Sequence, residues 1–134
     1  MADIYHYLYL SRFTGRVGDT GLRDILQRSR DQNIQLGVTG ALLFDGERFV
    51  QLLEGPREVV LPLSERIRMD SRHRDFTPVY EGSAASPSGR FDRWMSGYAD
   101  PDAVAKFESR VTGSGQDAGA VDHFIDLLAM SDVE

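Results

Sequence analysis

Two apolar runs joined by an Asp-Gly pair constrain this chain more than any other feature in it. Val38–Phe44 and Arg48–Leu53 read as strands, and Asp45-Gly46 between them is the positive-φ dipeptide that two-residue hairpins prefer. An antiparallel hairpin is therefore expected near the middle of the sequence. Within its second strand Phe49, Gln51 and Leu53 share a face by the two-residue period, so an amide is placed among large apolar neighbours. An amide in such a place needs partners.

The flanking segments have equally clear periods. Ile4–Ser11 alternates, with Tyr5, Tyr7 and Tyr9 on one side and Ile4, His6, Leu8 and Leu10 on the other, which predicts a strand with bulk on both faces. Gly18 to Thr20 offers a helix start, and Leu22, Ile25, Leu26 and Ser29 follow along one helical stripe that Asn33 closes. Gly55-Pro56 opens a second helix with Val60, Leu63 and Ile67 inside, its first turn expected to be distorted by Pro62. Phe76–Glu81 is a fourth strand, placed at a sheet edge by Pro78, then a small-residue loop covers Ser83 to Gly89 and Arg90–Tyr98 makes a fifth strand.

The order strand, helix, strand, strand, helix, strand, strand predicts an α+β ferredoxin-like sandwich (βαββαββ), with both helices on one face of the sheet. The other face is also apolar. A C-terminal helical extension, Ala118–Met130 with Val121, Phe124, Ile125 and Leu128 at helical spacing, is expected to cover it, with a second subunit as a further source of cover. The chain thus divides into residues 1–100 and an extension over 101–134, with a Gly/Ser-rich connector at 111–119.

Composition removes whole classes of function. At 134 residues there is room for one domain with one core, and a second catalytic module does not fit. With 41% apolar and 27% charged residues, no apolar stretch long enough for a membrane span and no export signal, a cytoplasmic protein is expected. The absence of cysteine excludes disulfides, thiolate metal sites and any cysteinyl adduct. A net charge of −6 without runs of Lys or Arg argues against nucleic acid as a partner.

Four polar features stand where the pattern asks for apolar ones: Tyr9, Asn33, Gln51 and the Arg72-His73 pair. A buried amide or hydroxyl left unpaired costs roughly 1–3 kcal/mol, so these groups either satisfy one another or bind something polar. Singly, each has an ordinary explanation: Asn33 as a helix cap, Gln51 bonded to backbone, Tyr9 as a packed aromatic. As a set they suit a flat heteroaromatic ring lodged between two helices. A rival on the same fold is an acylphosphatase-like hydrolase using Arg12 and Asn33, although the Arg12 to Gly21 stretch lacks a compact anion cradle. His6, His73 and His123 are too scattered to suggest a metal site.

Four segments, in order, carry a resemblance. Leu8-Tyr9-Leu10-Ser11-Arg12, Asn33 through Gly37-Val38-Thr39-Gly40-Ala41-Leu42-Leu43, Phe49-Val50-Gln51-Leu52-Leu53-Glu54-Gly55-Pro56 and Asp70-Ser71-Arg72-His73-Arg74 resemble the BLUF (blue light using flavin) family over about residues 3–100. The resemblance implies a photoreceptor without catalysis of its own, holding flavin non-covalently, FAD first and FMN or riboflavin next. It implies that Tyr9 is the electron and proton donor and that Gln51 lies between its hydroxyl and the flavin. Asn33 would hold one polar edge of the ring and Arg72 and His73 the other, with Ile25, Phe49 and Ile67 as its walls. The family commonly carries Trp, one residue, then Met in the last strand. This chain has Trp94-Met95-Ser96, so alternation sets Trp94 and Ser96 on one face and favours Ser96 over Met95 near Gln51. These three are the expected relay to an unknown downstream protein, by way of the last strand and the Ala118–Met130 helix.

Overall fold

The hairpin forms, with its corner one residue later than expected. In the computed structural model, which describes residues 4–15, 21–84, 89–111 and 119–134, strands β2 (Thr39–Phe44) and β3 (Arg48–Pro56) pair antiparallel with Phe44 opposite Phe49. Asp45 joins the ladder by donating its N–H to the Arg48 carbonyl at 3.1 Å, so Gly46 (φ +103°) and Glu47 make the corner. The Asp45 carboxylate then accepts the amides of Glu47 and Arg48 at 2.9 and 2.6 Å, which is the local bonding that suits Asp to turns.

Around the hairpin the chain lays out β1 (Ile4–Phe13), α1 (Gly21–Leu36), α2 (Arg57–Arg68), β4 (His73–Ser83), β5 (Trp94–Tyr98), α3 (Pro101–Val111), α4 (Ala120–Ala129) and a two-residue β6 (Asp132–Val133). The sheet order is β4-β1-β3-β2-β5-β6, with β5 parallel to β2 and the other pairs antiparallel. This is the expected α+β sandwich of ferredoxin-like type, and β4 lies at the edge as Pro78 required. The expected helix start at residues 18–20, most of the loop after Ser83 and most of the 111–119 connector lie outside the described residues.

Alternation sorts the side chains into two cores. Tyr7, Tyr9, Val38, Leu42, Phe44, Phe49, Leu53 and Trp94 pack under α1 and α2 with Leu26, Val60 and Leu63. Leu8, Leu10, Ala41, Leu43, Val50 and Leu52 face the other way, against Val104, Phe107, Val121, Phe124 and Leu127. The second face is thus covered by two helices of the chain itself, and burying it needs no second subunit. Helix α3 went unforeseen, although Val104, Phe107 and Val111 recur at helical spacing after an Asp100 that caps the Ala103 amide at 3.2 Å. Strand β6 carries too few residues to have a period at all. No helix among the described residues is long and apolar enough to cross a membrane.

Two local expectations change. The second helix starts at Arg57, with Gly55 still in strand β3, and it runs without interruption through Pro62. Pro62 is the sixth helical residue, so it removes one backbone bond and leaves the first turn intact. Gly40 has a stricter role than its neighbours: at φ +127° a Cβ there would fall 2.0 Å from the Leu52 carbonyl oxygen. Its bareness lets β2 close on β3 beneath the Trp94 ring.

Candidate functional site

Between helices α1 and α2 opens a cleft with about 610 Å³ of unfilled space that includes open solvent, floored by β1 and β3. Tyr9, Ile25, Asn33, Phe49, Gln51, Ile67, Arg72 and His73 all line it, so every ring-contacting residue expected from sequence comes to one place. Arg28, Gln32, Leu42 and Arg66 also line it and were not foreseen. Leu42 reads as an ordinary core residue of its strand, and the other three as polar residues of exposed helix faces, so their types carried no signal.

At the floor, register brings Tyr9 opposite Gln51 across the β1–β3 ladder. The Tyr9 hydroxyl donates to Gln51 Oε1, and both residues are buried. This engages the carbonyl end of the amide, leaving the Gln51 NH₂ as the donor offered to the cleft. The Tyr9 ring stacks on Phe76 with centroids 4.3 Å apart, which fixes its plane. Burial, then the nearby Asp70 charge and Tyr7, push the Tyr9 phenol well above its ordinary value, so it keeps its proton at neutral pH.

Asn33 does not cap α1 with its side chain. Its main-chain oxygen accepts the Val38 amide at 2.8 Å while the Gly37 amide bonds Ile34 at 3.1 Å, a helix end made possible by Gly37 at φ +73°. The side chain, 1% exposed, instead turns to the cleft with its Nδ2 buried and unpartnered. An orphan donor of this kind costs about 1–3 kcal/mol, and a ligand carbonyl would satisfy it.

Arg72 and His73 are held from behind. Asp70 accepts Arg72 Nε at 2.9 Å and the Arg72 amide at 2.9 Å, and these bonds, with burial opposing them, hold the Asp70 carboxyl below its usual range. His73 Nδ1 lies 2.7 Å from Ser11 Oγ, and its ring sits 4.8 Å from that of Phe49. Burial depresses the His73 imidazole from 6.5 to about 4, with Asp70 acting against the shift and Arg72 adding to it. His73 is therefore neutral at pH 7.

That depression sets the sign of the linkage. Well above pH 6.5 the ring is neutral in both the folded and the unfolded chain. Between about pH 6.5 and 4 only the unfolded chain does, so folding loses up to about 3 kcal/mol as the pH falls through that window. Thermal melts at pH 7 and pH 4.5 should show this loss, and His73→Gln should flatten it. An unchanged slope in the variant would assign the loss elsewhere.

Of the expected relay residues, Trp94 packs in the core on the cleft side, 2% exposed, with its indole N–H unpartnered, but it does not line the cleft. Met95 packs on the opposite core, as alternation requires. Ser96 shares the face of Gln51 but is not its neighbour: Gln51 pairs with Leu42, and Leu42 pairs with Ser96. One strand, and the Leu42 side chain, stand between them. The hydrolase alternative fails on position as well, because Arg12 is ion-paired with Glu47 at 2.5 Å and does not line the cleft that holds Asn33.

A family model described as sensors of blue-light using FAD matches residues 4–97. Among curated proteins, the photoactivated adenylate cyclase subunit beta of Euglena gracilis is 40% identical over 72 residues, and the blue light- and temperature-regulated antirepressor BluF of Escherichia coli K12 is 42% identical over 72. Each match covers 54% of this chain but only 8% of the cyclase subunit and 17% of the antirepressor. Among solved structures, BlrB, a BLUF protein in its dark state, superposes with a TM-score of 0.72 at 29% identity, covering 96% of this chain and 97% of that one. BlsA in its photo-activated state gives 0.69 at 26% identity, covering 95% and 94%.

Proposed function

The chain belongs to the BLUF family of blue-light sensors that bind FAD, and from that premise we propose that its light signal is a rearrangement of the Tyr9–Gln51 hydrogen bond, passed to a separate protein. The observation that carries the proposal is the buried bond from Tyr9 to Gln51 Oε1 on the floor of the cleft.

The cleft fits an isoalloxazine ring on its own terms. Asn33 Nδ2 is an unmet donor facing inward, Gln51 offers its NH₂, and Ile25, Phe49 and Ile67 supply apolar walls for a flat ring. Arg72 and His73 would serve the ring's other polar edge. When bound, the flavin supplies absorption of blue light and, once excited, an acceptor for an electron.

The rest belongs to the chain. A buried phenol that keeps its proton in the dark becomes a strong acid on losing an electron, and its hydroxyl already points at one base, Gln51 Oε1. The proton therefore leaves with the electron along that bond. Gln51, carrying a proton on its carbonyl oxygen, is free to rotate or to change tautomer before electron and proton return to Tyr9. The lasting product is an amide whose donor and acceptor ends are distributed differently.

We read residues 1–100 as the flavin-holding unit and residues 101–134 as the extension through which a partner senses the change, with Trp94, Met95 and Ser96 on the strand between them. The chain acts as a sensor rather than an enzyme in this reading. Absorption spectra of the purified protein before, during and after blue light test it. Flavin bands that move reversibly to the red are expected; a colourless protein that cannot be reconstituted with flavin would sink the proposal.

A further inference from the structure

A buried carboxylate outside the cleft has no place in the photochemistry of Tyr9 and Gln51. Glu54 lies on β3 three residues beyond Gln51, so its side chain points to the opposite face of the sheet, where it is 2% exposed. Each oxygen has two polar partners. Oε1 accepts Thr39 Oγ1 at 2.8 Å and the Phe91 amide at 2.9 Å, while Oε2 accepts the Arg90 amide at 2.6 Å and lies 2.7 Å from His6 Nε2. Burial alone would push this carboxyl up, but the bonds from His6, Arg90, Thr39 and Phe91 outweigh it and hold Glu54 below its usual range.

Two of those donors are main-chain amides of the segment that leads into β5. The contact is direct, since a Cβ on Gly89 would fall 2.6 Å from the carboxylate carbon. A few residues on, the Gly40 amide bonds the Arg93 carbonyl at 3.3 Å and Trp94 turns into the cleft-side core. In the other direction, Phe91 packs against the core beneath α3 and α4, and the Arg90 guanidinium reaches Asp122 of α4 at 2.9 Å. Strand order makes this link matter: β2 separates β3 from β5, so the backbone ladder connects Gln51 to β5 only through β2. The Glu54 side chain reaches directly to Arg90 and Phe91, in the segment that precedes β5.

We propose that Glu54 is a positioning residue for the light response, coupling a displacement of β3 at Gln51 to residues 89–93, and from there to Trp94 and to α4. The inference rests on the Tyr9–Gln51 reading and concerns the step after the hydrogen-bond rearrangement. It requires that the clamp be needed for the protein's structural response and not for the flavin's.

Glu54→Gln keeps the size of the side chain but turns an NH₂ towards two of the four donors. Two readouts separate the steps: the light-induced flavin band shift, and the light-minus-dark difference in the amide I infrared bands. In Glu54→Gln the band shift is expected at full size, the amide I difference is lost, and the Arg90 and Phe91 amides exchange roughly tenfold faster or more in the dark. Thr39→Val, which removes one donor and leaves the two loop amides bonded, should keep both light signals. Retention of the amide I difference in Glu54→Gln overturns the proposal, as does its equal loss in Thr39→Val, which would indicate general loosening. Loss of the flavin shift in a flavin-loaded Glu54→Gln overturns it too. Should that variant not hold flavin, Glu54→Asp, which retains the charge but withdraws it by one methylene, is read by the same two signals and judged by the same outcomes. Absence of the flavin shift in the unsubstituted chain would fault the underlying reading and not this one.

Discussion

Tyr9→Phe is expected to leave the flavin bound and to abolish the reversible red shift. The ring would keep its stacking on Phe76 and its place in a fully buried core, so the floor of the cleft hardly changes shape. The change removes the hydroxyl that donates to Gln51 and, with it, the proton proposed to leave with the electron. Gln51 Oε1 is then left without its donor, at a cost of about 1–3 kcal/mol that lowers the melting temperature without unfolding the protein. The check is a light-minus-dark absorption spectrum of flavin-loaded variant. A normal shift would move the donor role to another aromatic, and Trp94 with its unpartnered indole would be the first to examine.

Gln51→Leu should be as complete in its effect, and for a different reason. The leucine fills a similar volume beside Phe49 and Leu53, yet it can neither accept the Tyr9 proton nor present an altered hydrogen bond afterwards. Flavin should still be retained by Asn33 and the apolar walls. The dark spectrum is expected to differ from that of the parent chain, because one donor to the cleft is gone. Tyr9→Phe should leave that donor in place. If Gln51→Leu photocycled normally, the rearranging amide would have to be another group, and Asn33 is the other buried amide that lines the cleft. Comparing the two variants thus separates the source of the proton from the group that keeps the memory of its passage.

Two variants on one hydrogen bond address the input, and Glu54 addresses the output. The two side chains, Gln51 and Glu54, point to opposite faces of the same strand, three residues apart, and the two faces are buried by different helical layers. The sheet, and β3 within it, is common to both layers. Strand β3 carries on one face the amide bonded to Tyr9 and on the other a carboxylate with four polar partners, which suits it to the proposed relay.

Much of this was legible in the residues. The period of two in β1 and β3 placed Tyr9 and Gln51 on one face each of their strands, and the Asp-Gly pair located the hairpin. The residues that the family resemblance implies as ring contacts all line one cleft, together with Arg28, Gln32, Leu42 and Arg66, which it did not name. The differences from the local pattern are small: the turn corner lies one residue later because the Asp45 carboxylate accepts the amides of Glu47 and Arg48, and α2 runs straight through Pro62 because a helix already formed loses only one bond there. Helix α3 is present in the sequence as Val104, Phe107 and Val111 at helical spacing, a fainter stripe than that of the more apolar α4.

Other features were not legible at all, because they arise from residues far apart in sequence meeting at bonding distance. Sequence by itself determined which residues of a strand share a face, since alternation is a property of the backbone and needs no knowledge of neighbours. It thereby determined that Trp94 and Ser96 lie on one side and Met95 on the other. Only the tertiary structure decided that Leu42 stands between Gln51 and Ser96, that Asn33 keeps an unmet donor in the cleft, and that Glu54 holds the entry to β5 from 36 residues away. Strand order and register set these relations, and they arise from how the whole sheet packs between its two helical layers, which no local period encodes.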